Sequence, residues 1–282
     1  MKRTNKEVMT PDEILNADEV MCLQMAGMST PEIMRTDVNT FDKLYSVNPE
    51  YEEYIDRANR ILDRQEALDI IAISCHDDGF PPRLKAIGRD CPAMIYCLGN
   101  TALLEREKAV VVIGARSADR EGTDAAYNVA DDYARRGYVI VSGLATGCDS
   151  AAHRASIDNG GATIAVVATG LNLIHPRESV ALQADILGHG GLILSEQPIG
   201  VTANPTRLVS RNRLQAALSD EVILAQCPEQ SGSLHTMRFA ARYRKRLSTV
   251  TYPKWYPANM GNYNLLHPEN PHHTSVHPIS VS

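Results

Sequence analysis

Long apolar runs and paired cysteines are both missing from this 282-residue sequence. No stretch of about 18 consecutive apolar residues occurs in it, and no apolar segment follows the basic residues near its start, so we expect neither a membrane-spanning helix nor a secretory signal. The six cysteines lie apart without a C-x-x-C pair, which argues against a disulfide framework and against a zinc site. We therefore expect a cytoplasmic protein that holds no metal.

The usual fingerprints of phosphate-binding loops are missing as well. Residues 142–147 contain two glycines between an apolar run and a helical pattern, but neither Gly-Lys-Ser/Thr nor G-x-G-x-x-G occurs there. A strand that leads through such a turn into a helix still presents unpaired backbone N–H groups and the positive end of the helix dipole, with Asp149 or Ser150 as the cap. From these residues alone, the loop either binds an anion such as phosphate or is an ordinary turn that binds nothing.

The net charge of −6 is unevenly distributed. Residues 1–70 carry eight basic and 15 acidic side chains, whereas residues 203–246 carry eight basic and three acidic ones. The second segment is basic enough for a local patch that faces an anionic partner, although it is not a strongly basic domain.

Short helical signals fill the acidic first part of the chain. Cap residues followed by proline and acids predict helices that begin at Thr10 and Ser29, and apolar residues at helical spacing predict a third helix at about 49–67. These apolar positions fit the core of a small helical module, residues 1–68, better than a docking surface. Short strands are expected at 69–74 and near 92–99.

From residue 109, apolar runs alternate with helical patterns. Unbroken apolar strands are typical of a parallel sheet covered on both faces, so we expect a doubly wound, mostly parallel α/β fold over residues 69–257. After residue 257 the composition changes to Asn, His and Pro without periodicity, which predicts an irregular tail at 258–282. The expected strands are 109–113, 138–141, 163–168, 192–194, 221–225 and 248–251, and the expected helices are 121–136, 150–159, 179–188, 209–217 and 233–244.

Polar loops follow these strands, and a parallel sheet gathers such loops at its carboxyl edge, where doubly wound folds bind ligands. Arg211 and Arg213 stand in one of the predicted helices. Arginine suits a core helix only if it pairs with an acid, such as Glu196 or Asp149, or faces an anionic ligand.

The same loops carry motifs that resemble those of the DNA-processing protein A family, also called DprA or Smf. The motifs are Gly114-Ala115-Arg116, Val141-Ser142-Gly143-Leu144-Ala145-x-Gly147-x-Asp149, Ala152-His153, Gly160-Gly161-x-Thr163-Ile164-Ala165-Val166, Thr169-Gly170-Leu171, Leu194-Ser195-Glu196, Arg211-Asn212-Arg213 and Ser231-Gly232-Ser233-Leu234-x-Thr236. They occur in the family's order and spacing over about residues 70 to 255. The resemblance implies an extended Rossmann-like fold with a SAM-like helical module, single-stranded DNA binding, homodimerisation, and delivery of the strand to a RecA-type recombinase in transformation or recombination. It implies no catalysis and no cofactor.

The motifs also imply a set of DNA- or phosphate-binding residues. Because two of the loops follow buried strands and offer glycine and hydroxyl groups, we expect the backbone nitrogens of Gly143 and Gly232 to open into one cleft, with one or both arginines of the predicted helix at its wall. The expected binding residues are Arg116, Ser142, Gly143, Gly147, Gly170, Arg211, Asn212, Arg213, Ser231, Gly232 and Ser233.

The chain departs from the family at two positions of the expected DNA pocket where cations are common. Thr146 stands where the family commonly has Lys or Arg, and Ala162 stands where it commonly has Lys. Each lost phosphate contact lowers the affinity and flattens its salt dependence by about 0.7 to 0.9 in slope. We therefore expect weak DNA binding, and we expect lysine at both positions to strengthen it.

Two other functions would use the same loops. One is a nucleotide-sensing Rossmann-like domain, for example in a defence system. The other is an enzyme of the phosphoribohydrolase type, whose P-G-G-x-G-T-x-x-E loop ends in an essential glutamate where this chain has Thr236. Without that carboxylate no acid or base is evident, and His153 at a helix start is better explained as structural, so we expect no enzyme activity.

Overall fold

A computed structural model describes residues 14–268 and 275–280 of the chain. The chain divides into two compact units. The first comprises the residues up to Leu68 together with Ala72–Ile95, and the second comprises Asp69–Ile71 and the residues from Tyr96 onward. Residues 72–95, which the sequence assigns to the α/β domain, thus belong to the helical unit.

Helices dominate the first unit. The capping box at Ser29 is confirmed, since the Ser29 N–H donates to Glu32 Oε2 at 2.8 Å. The helix after Pro49 is also confirmed, whereas the helix start expected at Thr10 lies outside the described residues. The helices are α1 (Ala17–Met25), α2 (Thr30–Ile33), α3 (Val38–Val47), α4 (Glu50–Glu66) and α5 (Pro82–Lys85), and β1 (Ile70–Ser74) lies across the boundary between the units.

A mostly parallel sheet forms the centre of the second unit. From β2 onward its strand order is β2-β6-β5-β4-β3-β7-β8-β9, with β2 antiparallel to β6 and the remaining neighbours parallel. The central strands are buried along their whole length, as their unbroken apolar sequences predict. The strands are β2 (Met94–Gly99), β3 (Ala109–Ile113), β4 (Val139–Ser142), β5 (Thr163–Val166), β6 (Leu192–Ser195), β7 (Glu221–Leu224), β8 (Arg246–Val250) and β9 (His277–Ile279).

Helices connect the parallel strands. Because such crossovers are right-handed, those on the β3-to-β6 side and those on the β7-to-β8 side cover opposite faces of the sheet. The doubly wound, Rossmann-like fold expected from the sequence is therefore confirmed. The helices are α6 (Arg120–Arg135), α7 (Cys148–Asp158), α8 (Val180–Gly188), α9 (Pro205–Leu218), α10 (Ser233–Arg242) and α11 (Met260–Leu266), and no helix in the described ranges is long and apolar enough to cross a membrane.

The segment expected to be an irregular tail contains regular structure. It forms α11, and β9 adds to the sheet beside β8, with the Thr251 N–H donating to the carbonyl oxygen of Ile279 at 2.8 Å. The Asn262 side chain anchors α11, because its Oδ1 accepts the Cys227 N–H at 2.9 Å and its Nδ2 donates to the Ala225 carbonyl at 2.7 Å. The sequence prediction was wrong here because backbone pairing and one buried amide, rather than apolar periodicity, hold the segment.

Candidate functional site

A pocket opens at the carboxyl edge of the sheet between β3 and β7. The chain runs outward from β3 through β4, β5 and β6, and then returns to β7 on the other side of β3. Doubly wound folds bind ligands at this point, because the loops after the two adjacent strands diverge to opposite faces. The pocket has a volume of about 430 Å³ and is lined by the loops after β3 and β7, the first turn of α7, one side of α9 and the first turn of α10.

The loop after β3 brings Arg116 to the pocket. Gly114 permits close packing there, since a Cβ atom at this position would lie 2.3 Å from Cys148 Sγ. Ala115 donates its N–H to the carbonyl oxygen of Gln226 at 2.7 Å, which joins the ends of β3 and β7. Arg116 is exposed, and within residues 14–268 and 275–280 its guanidinium makes no hydrogen bond or ion pair. Its charge is available to a bound anion.

Arg211 of α9 also lines the pocket, but it is only 6% exposed. Its Nη1 donates to the carbonyl oxygens of Gly143, at 2.7 Å, and Val166. Its Nε donates to Asn212 Oδ1 at 3.0 Å. These bonds fasten α9 to the carboxyl ends of β4 and β5.

Arg211 keeps donors for a ligand as well. Its Nη2 has no hydrogen-bond partner in the described part of the chain. Burial lowers the pKa of the guanidinium to about 10, while the negative charge of Asp149 opposes the decrease. Arg211 is therefore a cation at neutral pH, fixed on one side and unpaired on the other.

Asp149, in the first turn of α7, adds a buried carboxylate to the lining. Its Oδ2 accepts the N–H of Gly143 at 3.2 Å and that of Ala145 at 3.3 Å, which fixes the turn after β4. Burial raises the pKa of this carboxyl, while the charge of Arg211 and the two N–H groups oppose the rise. Because the Gly143 N–H is used inside the protein, the expectation that it opens into the pocket is wrong.

The loop after β7 delivers the N-terminus of α10 to the pocket, as expected. Ser233 Oγ donates to the carbonyl oxygen of Gly114 at 2.7 Å, so the start of α10 is held against the loop after β3. Gly232 is exposed, and its N–H has no partner among the described residues. An N–H group at the positive end of a helix dipole suits an anion. Ser231, Gly232 and Ser233 all line the pocket.

Comparison with known proteins identifies the family to which this chain belongs. A model of the DNA recombination-mediator protein A family matches residues 71–279, which include every residue of the pocket lining. The chain belongs to this family. It is 34% identical to the DNA processing protein DprA of Bacillus subtilis over 239 residues, which are 84% of this chain and 79% of that protein. It is 39% identical to DprA of Streptococcus pneumoniae over 165 residues, which are 58% of this chain and 57% of that protein.

Solved structures of DprA proteins have the same fold. The X-ray structure of DNA processing protein A from Streptococcus pneumoniae superposes with a TM-score of 0.71 at 26% identity, covering 94% of this chain and 90% of that one. A structure of DNA processing protein A from Helicobacter pylori, which concerns its single-stranded DNA binding mode, superposes with a TM-score of 0.63 at 30% identity, covering 70% of this chain and 87% of that one.

Several DprA motif residues lie outside the pocket lining. Ser142 Oγ donates to the Val112 carbonyl at 2.7 Å and is buried. Gly147 adopts a φ of +75° against the Ala115 carbonyl, and Gly170 packs against the Pro198 carbonyl, so both positions have no room for a side chain. These three residues shape the loops, and phosphate contacts by them stay a prediction.

Asn212 belongs to the pocket lining, whereas Arg213 lies outside it. Arg213 forms a two-pronged ion pair with Glu196, at 2.7 and 2.5 Å, and does not belong to the described lining. Asn212 lines the pocket and its Nδ2 donates to the Gly232 carbonyl at 3.4 Å. Of the arginines in this motif, Arg211 is the one placed to meet a ligand.

Thr146 and Ala162 lie at opposite edges of the sheet. Thr146 follows β4, and its Oγ1 donates to the Arg116 carbonyl at 3.2 Å. Ala162 precedes β5, and its carbonyl accepts the Ile140 N–H at 2.9 Å. The expectation that both positions face one DNA pocket is therefore wrong for Ala162.

His153 is buried in α7, consistent with a structural role. Its Nδ1 lies 2.7 Å from Thr163 Oγ1, which itself donates to the Ile140 carbonyl at 2.8 Å, so the imidazole proton sits on Nδ1. His153 Nε2 is buried and has no partner among the described atoms. Burial, assisted by the positive charge of Arg211, lowers the pKa of this imidazole to about 3.

The sequence did not predict the pocket-lining residues that lie outside the motifs. They are mainly apolar or amide side chains of α9, and helical periodicity alone does not distinguish a pocket wall from the core. Pro228 and Gln230 lie in the loop after β7, next to the Ser231-Gly232-Ser233 motif, but neither was expected to line the site. The missed lining residues include Pro205, Leu208, Val209, Gln215, Pro228 and Gln230.

Proposed function

We propose that this DprA family member binds single-stranded DNA in the pocket between β3 and β7. The observation that carries the proposal is that Arg116 and Arg211 line the same pocket. Arg116 is exposed and has no partner among the described residues, and the Nη2 of the buried Arg211 has none either. Two guanidinium groups beside the N-terminus of α10 suit phosphate oxygens. The Helicobacter pylori relative, whose structure concerns single-stranded DNA binding, supports the same ligand class.

The size and walls of the pocket favour an unpaired strand over a duplex. A volume of about 430 Å³ is in the range of small-molecule sites. Leu208 and Val209 provide an apolar wall, while Gln215 and Asp149 provide polar groups. Unstacked bases present an apolar face and hydrogen-bonding edges together, which paired bases in a duplex do not.

The proposed activity is binding without catalysis. Thr236, which replaces the glutamate of phosphoribohydrolase-type loops, lines the pocket and is 1% exposed. Its hydroxyl cannot act as the carboxylate acid or base that cleavage of an N-glycosidic bond needs. In this proposal the chain protects single strands and loads a RecA-type recombinase on them during transformation or recombination.

Titration of a labelled dT oligomer, followed by fluorescence anisotropy, tests the central proposal. We expect saturable binding of the single strand and much weaker binding of the matching duplex, with an affinity that falls as salt rises. A thermal-shift panel of nucleotides tests the nucleotide-sensing alternative. Binding of a free nucleotide without binding of the oligomer would favour that alternative and reject ours.

The homodimer implied by the DprA family is part of the same proposal. Static light scattering at tens of micromolar should give twice the chain mass of 30.9 kDa. A mass of one chain at that concentration would reject dimerisation and leave the DNA proposal to its own titration. For recombinase loading, the chain should speed filament formation on strands coated with a competing single-strand-binding protein.

A further inference from the structure

We propose that the exposed face of α10 is a second contact surface for single-stranded DNA, reached from the pocket over the N-terminus of the helix. The proposal rests on the proposed function, since the pocket holds one part of the strand and α10 holds the next. The ligand of this face is the phosphodiester backbone together with unpaired bases.

The sequence that forms α10 and continues to residue 268 carries charge of a single sign. No Asp or Glu occurs between Glu229 and Glu269. Within that stretch Arg238, Arg242 and Arg244 are exposed. Arg238 and Arg244 make no side-chain hydrogen bond or ion pair with the described residues. A row of exposed arginines without neighbouring carboxylates on its helix attracts a polyanion.

Aromatic rings accompany these arginines. Phe239 and Tyr243 are one helical turn apart, with ring centroids separated by 6.1 Å and ring planes inclined by 23°. The Arg242 guanidinium carbon lies 5.5 Å from the Phe239 ring centroid. Proteins that bind single strands combine aromatic rings, on which bases stack, with cations along the backbone. An acidic protein partner would account for the arginines but not for the paired rings.

The helix that carries this face begins at the pocket. Ser233 and Thr236 of the first turn line the pocket, and Arg238 and Arg242 follow on the same helix at a spacing of one turn. The helix from Ser233 to Arg242 extends about 15 Å. Arg238 and Arg242 lie on the side of α10 away from the two pocket-lining residues, so a strand that leaves the pocket over the exposed Gly232 at the start of the helix meets Arg238 first and Arg242 next.

Charge removal with a matched control tests the face. The variant R238A/R242A removes two exposed cations from α10, and the variant R57A/R60A removes two exposed cations from α4 in the helical unit. Both change the net charge equally. Anisotropy titrations with dT20 and with a dT4 oligomer at several salt concentrations compare the three proteins.

We expect R238A/R242A to bind dT20 at least tenfold more weakly than the unmodified chain and to bind dT4 nearly as well. Its log–log salt slope with dT20 should be flatter by about 1.4, because single strands lose about 0.7 per phosphate contact. The variant R57A/R60A should match the unmodified chain. Phe239→Leu keeps an apolar side chain and should weaken dT20 binding about fivefold without changing the slope, because stacking does not release counterions.

The outcomes separate the two proposals. If the unmodified chain binds dT20 and R238A/R242A binds it with the same affinity and slope, the α10 face is rejected while the pocket stands. An equal loss in R57A/R60A would also reject it, because net charge alone would then explain the effect. If the unmodified chain binds no oligomer, the proposed function fails first.

Discussion

Arg211 and Arg116 both line the pocket, but they differ in their bonds to the rest of the protein. Arg211 is fixed by the carbonyl groups of Gly143 and Val166, so replacing it would disturb the fold as well as the site. Arg116 is exposed, and its side chain makes no hydrogen bond or ion pair with the residues that the structure describes. Its replacement therefore changes the site without disturbing the fold. Mutations at the two positions therefore report on different properties.

We predict that Arg116→Ala weakens dT oligomer binding about tenfold or more, the effect of losing a charged hydrogen bond of about 1.5 to 3 kcal/mol. Arg120→Ala is the matched control, because Arg120 carries the same charge on α6 but pairs with Asp124 at 3.5 Å outside the pocket lining. Anisotropy titration measures both, and thermal melting checks the fold. Equal binding by Arg116→Ala and the unmodified chain would remove Arg116 from the site.

His153 links stability to pH. The folded state keeps His153 neutral down to about pH 3, whereas the unfolded state takes up a proton near pH 6.5. Lowering the pH therefore favours unfolding, and stability present above pH 6.5 is lost progressively as the pH falls toward 3. We predict that His153 alone removes about 2 kcal/mol between pH 7 and pH 5.

The comparison is His153→Asn, which retains a donor for Thr163 Oγ1 but does not titrate. Urea unfolding at pH 7 and at pH 5 should show a smaller decrease in unfolding free energy for this variant than for the unmodified chain. Identical decreases would show that His153 does not control this pH range.

At the scale of elements, the sheet separates two positions that the motifs associate. Thr146 follows β4 at the carboxyl edge beside Arg116, and Ala162 precedes β5 at the amino edge. We predict that Thr146→Lys raises the affinity for single strands and steepens the salt slope by about 0.7. Ala162→Lys adds the same charge at the other edge and should leave the slope unchanged. If only Ala162→Lys steepens the salt slope, the DNA binds at the amino edge of the sheet and our placement at the carboxyl edge is rejected.

The elements themselves show which features the sequence could predict. Val110 to Val112 and Val139 to Val141 form strands because apolar runs of this length fit a sheet buried on both faces. The partners of Arg211 were not predictable, since two backbone carbonyls 23 residues apart leave no pattern in the sequence. β9 was not predictable either, because a strand of three residues that includes a proline is too short to produce a pattern in the sequence.

At the scale of the whole molecule, the segment after residue 257 completes the sheet, and Asn262 is its anchor. We predict that Asn262→Ala lowers the free energy of unfolding by about 1 to 3 kcal/mol, because the buried N–H of Cys227 loses its acceptor. Asn264→Ala is the control, since Asn264 is exposed and lies 3.4 Å from Glu229 Oε1. Urea unfolding compares them. A loss in Asn264→Ala as large as that in Asn262→Ala would show that α11 is not held by the buried amide.

The pairing of β3 with β7 also determines when the pocket can exist during synthesis. Val110 pairs with Glu221, so more than one hundred residues must leave the ribosome after β3 before the two sides of the pocket can meet. Contacts that distant in sequence form late and slowly. Until β7 emerges, β3 exposes an apolar edge to other chains. Nascent chains of this protein are therefore expected to need a chaperone during that interval, and DNA binding is expected to appear only near the end of translation.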